Sequence, residues 1–203
     1  MQLSFVDRAT YRNKKTTDFI DALHQHHGDF YLLPEGGSNH LALTGCAEIV
    51  NDIDADFDAI TVPSGTGATL AGIISALRAD QAALGFAVLK GANFLDHDVR
   101  RMLVENGHQA TKNWRIEHAY HFGGYAKTTA ELFAFINRFK SAFGIDLDAV
   151  YTGKMLFGIF DLIRHGQFDK GTRIIAVHTG GVQGNAGFPQ LTFETKAPTD
   201  HDE

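Results

Sequence analysis

The segment Val62-Pro63-Ser64-Gly65-Thr66-Gly67-Ala68-Thr69 sets two glycines and three hydroxyls between a short apolar run and an apolar-periodic stretch. Ala59 to Val62 reads as a buried strand, and Leu70, Ile73, Ile74 and Leu77 recur at helical spacing. The loop therefore joins a strand to a helix N-terminus. Unpaired N–H groups and the positive end of the helix dipole favour an anion there, and glycine lets a phosphate approach the backbone. On this reading Gly67→Val blocks that approach. The alternative is an ordinary βα turn with Thr69 as the N-cap. The loop is not a dinucleotide fingerprint, because the glycine after Gly67 is Gly72. It is not a P-loop either, since no Gly-Lys-Ser/Thr follows.

The chain has 203 residues, enough to bury a sizeable core. Hydrophobic residues at 44% and charged residues at 21% are ordinary globular values and exclude a disordered chain. A formal net charge of −6, with acids scattered throughout, argues against a nucleic-acid surface. The single cysteine, Cys46, excludes an internal disulfide framework; it falls within a helical stretch and reads as buried and inert. No apolar stretch is long enough to span a membrane, and Arg8, Arg12, Lys14 and Lys15 interrupt any signal-peptide core. These features fit a cytoplasmic protein with no membrane partner.

Strand-like and helix-like segments alternate. Strands are expected at Leu3 to Val6, Phe30 to Leu33, Ala59 to Val62, Phe86 to Leu89 and Arg173 to Val177. Helices are expected at Thr17 to Gln25, Leu41 to Val50, from Leu70, and at Asp96 to Glu105, Thr128 to Phe143 and Leu156 to Ile163. A less regular stretch rich in His and Tyr runs from His108 to Tyr125, and a polar tail from Glu194 to Glu203. Repeated βα units imply a three-layer α/β architecture with a parallel sheet and ligands at the C-terminal strand ends.

Six motifs then occur in a telling order. They are Phe5-Val6-Asp7-Arg8 with Tyr11-Arg12, Leu33-Pro34-Glu35-Gly36-Gly37-Ser38-Asn39, and Ser64-Gly65-Thr66-Gly67-Ala68-Thr69. Next come Gly124-Tyr125-Ala126, Val150-Tyr151-Thr152-Gly153-Lys154, and His178-Thr179-Gly180-Gly181. Over nearly the whole chain this order resembles the pyridoxal-phosphate-dependent 1-aminocyclopropane-1-carboxylate deaminase and D-cysteine desulfhydrase family. The resemblance implies the tryptophan-synthase β-like fold, called fold type II, with pyridoxal phosphate as cofactor. It also implies a small amino-acid substrate converted to a 2-oxo acid and ammonia, and a homodimer. It divides the chain into residues 1–50, the remainder of a small domain, and 51–203, a large cofactor-binding domain.

The chain departs from that pattern at one place. The family carries an N-terminal Ser-Gly-Asn-Lys motif, whose lysine forms the Schiff base, and a Ser-Asn-His segment after it. Neither can be placed here: Ser38-Asn39-His40 sits in the surroundings of a later loop, and Arg12-Asn13-Lys14-Lys15 lacks the glycine. The chain resembles roughly the last two-thirds of the family's pattern. It then leaves an apolar sheet edge or helix face uncovered unless a homodimer mate covers it. A non-catalytic phosphate-binding remnant stays open as the alternative.

By the resemblance, Gly65, Thr66, Gly67, Ala68 and Thr69 bind the cofactor phosphate, and Thr179 faces the pyridine nitrogen. Tyr125 and Tyr151 are active-site tyrosines; a phenol of lowered pKa moves a proton. Relatives acting on aminocyclopropane carboxylate tend to carry glutamate after the second tyrosine; Thr152 here leans towards the desulfhydrase branch. Other features favour plain structural roles. His24, His26 and His27 suit a helix C-terminus rather than a metal. Ser38 suits a helix cap, and His118 and His121 a surface loop.

Overall fold

The computed structural model describes residues 3–109 and 113–191. It comprises two compact units, residues 1–34 and 35–203. The expected polar tail lies outside the described residues.

In the first unit, α1 (Arg8–Arg12) starts at Asp7, whose carboxylate accepts the N–H groups of Ala9 and Thr10. Helix α2 (Thr17–His27) is capped by Thr16 and stopped at Gly28. Neither Leu3–Val6 nor Phe30–Leu33 forms a strand. Both have the apolar composition of one, but a strand needs a ladder partner, and the described elements of this unit are helices. Of Arg12-Asn13-Lys14-Lys15, Arg12 ends α1 and the rest links the two helices, with Asn13 as C-cap of α1 and the Lys14 ammonium over the Tyr11 ring.

The second unit contains α3 (His40–Asn51), β1 (Ala59–Ser64), α4 (Ala68–Ala76), β2 (Ala82–Ala87) and α5 (Phe94–Glu105). It continues with β3 (Trp114–Glu117), α6 (Ala130–Phe143), α7 (Thr152–Arg164) and β4 (Ile174–Ala176). The four strands form a parallel sheet of order β3-β2-β1-β4. Strand β2 begins earlier than the aromatic composition suggests. Its pairing with β1 runs from Ala59↔Ala82 to Ser64↔Ala87, so partner and burial override the weak strand propensity of Ala-Ala-Leu-Gly. Strand β3 lies inside the stretch read as irregular. Its four residues alternate, with Trp114 and Ile116 buried and Arg115 exposed, a period too short to stand out.

Alternation sorts the sheet's two faces into separate cores. Ile60, Val62, Ala83, Ala87, Trp114 and Ile116 pack with α3, α4 and α5. Leu84 and Phe86 point the other way, onto Met155, Ile159 and Leu162 of α7. Burying each large side chain contributes about 1.5–3 kcal/mol, so both helical layers are held firmly to the sheet. Cys46 is half-buried in α3, in contact range of Gly72 on α4. Phe143, Phe160 and Ile163 of α6 and α7 stand exposed, and β4 pairs with β1 alone among the described strands.

The strand order reverses beside β1. From β1 the chain moves outward through α4 to β2 and through α5 to β3. It then returns through α6 and α7 to place β4 on the opposite side of β1. Loops leaving the C-terminal ends of two such strands diverge to opposite faces and open a crevice between them. The sheet thus positions the Ser64–Thr69 and Val177–Gly181 loops side by side.

Candidate functional site

A cleft of about 350 Å³ occupies that crevice. One wall is the loop from Pro63 to Leu70; the other comprises Thr179, Gly180, Gly181 and Gln183, with Tyr151 and Gly36 completing it. Of the residues expected at the site, Gly65, Thr66, Gly67, Thr69, Tyr151 and Thr179 line it. Ala68 does not: its side chain is buried in the α4 core, and it offers its N–H alone. Tyr125 stands off the lining, against Tyr151.

Helix α4, like α5, lacks a side-chain cap. Its N-cap is a glycine, Gly67, at φ +83°. Thr69 is therefore not the N-cap. Helices α2, α3 and α6 are capped by Thr16, Asn39 and Thr129. At α4 the first-turn N–H groups have neither an intrahelical partner nor a cap, and they open on the cleft. A phosphate answers both the orphan donors and the helix dipole. Beneath the loop, Ser64 is buried, and its Oγ lies towards Gly85 of β2 with no hydrogen-bond partner among the described residues.

Thr66 is held from the Gly36 side. The Ser38 hydroxyl donates to Thr66 Oγ1 at 2.8 Å. A Cβ on Gly36 would fall 2.7 Å from the same side chain, so only glycine admits Thr66 there. Ser38 is thus not a helix cap; Asn39 caps α3. Opposite, the Thr179 turn is braced by His178. Gly180 N–H donates to His178 Nδ1 at 3.1 Å, which makes Nε2 the protonated nitrogen, donating to the Asp146 carbonyl at 2.7 Å.

Tyr151 is set by Asp148, which sequence reasoning passed over. The buried Asp148 carboxylate accepts the N–H groups of Val150, Tyr151 and Thr152 at 2.7–2.8 Å and the Thr152 hydroxyl at 2.7 Å. The signal was present, as an Asp four residues before a Thr at a helix start. Burial, then the neighbouring Tyr125 phenol and the Asp148 charge, push the Tyr151 phenol up to about 12. It is thus a fixed hydrogen-bond donor at neutral pH, not the phenolate that a lowered pKa would give. Its ring meets Tyr125 edge-on, centroids 6.0 Å apart.

The remaining polar candidates fall elsewhere. His118 Nε2 pairs with Asp96 at 2.8 Å, and His121 Nδ1 accepts the Gly123 N–H. His24 stacks on Phe30 at the end of α2. No group of three or more His, Cys, Asp or Glu able to hold a metal occurs among the described residues. No described helix is long and apolar enough to cross a membrane.

A parallel three-layer fold with an uncapped, glycine-led helix at its switch point defines an α/β domain whose crevice suits an anionic group. The model of the pyridoxal-phosphate-dependent enzyme family matches residues 5–180, and the chain belongs to that family. It is 34% identical over 168 residues to a relative from Pyrococcus furiosus, covering 76% of this chain and 50% of that one. It is 31% identical over 171 residues to the bifunctional D-cysteine desulfhydrase/1-aminocyclopropane-1-carboxylate deaminase, mitochondrial, of Arabidopsis thaliana, covering 76% and 42%. A solved 1-aminocyclopropane-1-carboxylate deaminase homologue superposes with a TM-score of 0.71 at 29% identity, over 91% of this chain and 59% of that one. The fold is therefore fold type II. The chain spans about half the length of the curated relatives it matches.

The family's cofactor, pyridoxal phosphate, fits what the cleft offers. The uncapped, glycine-led N-terminus of α4 opens on the cleft and suits its phosphate. No lysine lines the cleft among the described residues.

Proposed function

We propose that this cleft is the cofactor site of a deaminase or desulfhydrase acting on a small amino acid of the 1-aminocyclopropane-1-carboxylate or D-cysteine type. The products are a 2-oxo acid and ammonia. One observation carries the reading: the glycine-capped N-terminus of α4 faces the cleft at the sheet's switch point. On it, the N–H groups of Gly65 to Thr69 and the hydroxyls of Thr66 and Thr69 hold the phosphate. Thr179 offers the pyridine nitrogen a neutral partner, which limits its protonation. When bound, the cofactor supplies an electron sink for negative charge generated on the amino acid. Tyr151, a phenol whose pKa burial raises further, donates a hydrogen bond or a proton on the substrate side, with Tyr125 beside it.

The desulfhydrase branch is favoured by Thr152. That side chain is fully buried and its hydroxyl is bound to Asp148. A glutamate there would set a second carboxylate against a buried one, which is costly. Residues 1–50 and 51–203 serve as small-domain remainder and large domain of a cytoplasmic homodimer.

A second reading, a phosphate-ligand-binding protein without turnover, is favoured by the absence of lysine from the described cleft lining. Two measurements separate the readings. Titration with 4-deoxypyridoxine 5′-phosphate, which lacks the aldehyde, reports the cradle alone. Borohydride reduction with pyridoxal phosphate, followed by peptide mapping, reports a reactive lysine. Binding with one stoichiometrically labelled lysine, and 2-oxo acid released from D-cysteine, establishes the enzyme. Binding with scattered labelling and no product establishes the second reading, and no binding removes both.

A further inference from the structure

We infer that Lys154 is a positioning residue: its buried ammonium clamps the backbone of the loop that carries Tyr125. The inference rests on the proposed site only for what Tyr125 serves; the clamp itself is a matter of geometry.

Lys154 is completely buried on α7, three residues after Tyr151. Its Nζ donates to the carbonyls of His121 at 2.9 Å and Gly124 at 2.8 Å. Each of those carbonyls also closes a turn, accepting Gly124 N–H at 3.0 Å and Lys127 N–H at 3.1 Å. Two consecutive turns are thus stitched to one ammonium. The backbone between them is unfavourable by itself: Phe122 and Ala126, neither a glycine, sit at φ +52° and +53°, and Gly123 and Gly124 at +96° and +123°. A segment in these conformations persists only when its surroundings over-determine it.

No carboxylate lies within ion-pair distance of Lys154 among the described residues. Burial pushes the amine down to about 8, opposed by the Asp148 charge, so it is mostly charged at neutral pH. An unpaired buried ammonium weakens a fold relative to an apolar chain of similar length. Global stability therefore does not explain it, whereas the loop does. Tyr125 is 56% exposed and is held through its ring and phenol contacts with Tyr151, which it reaches only while the backbone of its loop keeps it there. One turn of α7 thus presents Tyr151 to the cleft and, through Lys154, brings Tyr125 alongside. The two bonded carbonyls also account for why this lysine is held as a clamp rather than offered to a ligand.

The test is amide hydrogen exchange on ligand-free protein, comparing the unsubstituted chain with Lys154→Met. The variant is expected to unfold at the same or a higher denaturant concentration. Exchange at Gly124 and Lys127 should nevertheless rise at least about tenfold, with the β1 and α4 amides unchanged. The near-ultraviolet circular dichroism of the tyrosine pair should fall with it. A purely structural lysine would instead lower the midpoint and raise exchange throughout, and that result, or unchanged exchange at both amides, overturns the inference. If Lys154→Met does not fold, the unsubstituted protein decides: protection of both amides at least about a hundredfold above free-peptide rates supports the clamp, and free-peptide rates overturn it. Titration with 4-deoxypyridoxine 5′-phosphate runs in parallel. A clamp confirmed without ligand binding refutes the proposed function and leaves Lys154's role standing.

Discussion

Gly67 turns the missing face of its α-carbon towards Val99: a Cβ there would lie 2.7 Å from Val99 Cγ2, with Met102 and Leu95 close behind. The glycine that the sequence presents as room for a phosphate is thus also room for α5. Its φ of +83° independently disfavours any side chain. Gly67→Ala should therefore cost about 2–4 kcal/mol in urea unfolding, strain and overpacking together. Gly67→Val tests the fold as much as the phosphate.

Gly65 is the cleaner probe of the cleft. A Cβ at Gly65 meets Tyr151 at 3.5 Å, an ordinary contact. Gly65→Ala should leave stability within about 1 kcal/mol. Gly65→Leu should fill the space beside Tyr151 and weaken 4-deoxypyridoxine 5′-phosphate binding with the urea midpoint kept. Calorimetric titration of both variants checks this, and equal affinities would count against the cleft as the site.

Thr66→Val removes a hydroxyl that accepts from Ser38 and faces the cleft. Loss of one bond to a charged phosphate is worth about 1.5–3 kcal/mol, so affinity should drop roughly ten- to a hundredfold. Ser38→Ala should have a smaller effect, because it only orients Thr66.

Tyr151 gives a pH signature. Its phenol titrates near 12 in the folded protein against an ordinary 10. Between those values the unfolded chain has lost the proton and the folded chain keeps it, so folding stability falls as pH rises through 10 to 12. Tyr151→Phe should flatten that decline and remove one late-ionising phenolate from the absorbance titration near 295 nm. If the phenolate lost from the curve is one that ionises near 10, the assignment is refuted.

Asp148→Ala strips four bonds from the start of α7. Unsatisfied buried donors make this about a 2–4 kcal/mol loss by denaturant unfolding. Tyr151 should become more mobile and accessible to iodination, while Asp148→Asn, which keeps the acceptor on one side, should retain more of both.

The α4 loop, the six long helices and the strands β1 and β4 were legible because each carries its own signal. Apolar periodicity marks α5 and α6, and Gly67 with its flanking threonines marks a special βα turn. The motif order identified the family, since spacing along the chain is a property of sequence alone. The tertiary structure decided what depends on partners. Leu3–Val6 and Phe30–Leu33 have strand composition but no ladder, whereas Trp114–Glu117 has little length and finds one. Ser38 reads as a cap until folding brings Thr66 against it across 28 positions. The sequence shows Tyr151 as a phenol; burial beside Tyr125 and Asp148 raises its pKa, where proton transfer through a phenolate would need it lowered. Lys154, one lysine among others on paper, becomes a clamp because folding removes water from its ammonium and leaves two carbonyls of a strained loop within reach. Hydration and charge environment are set by residues distant in sequence, and one-dimensional spacing does not encode them.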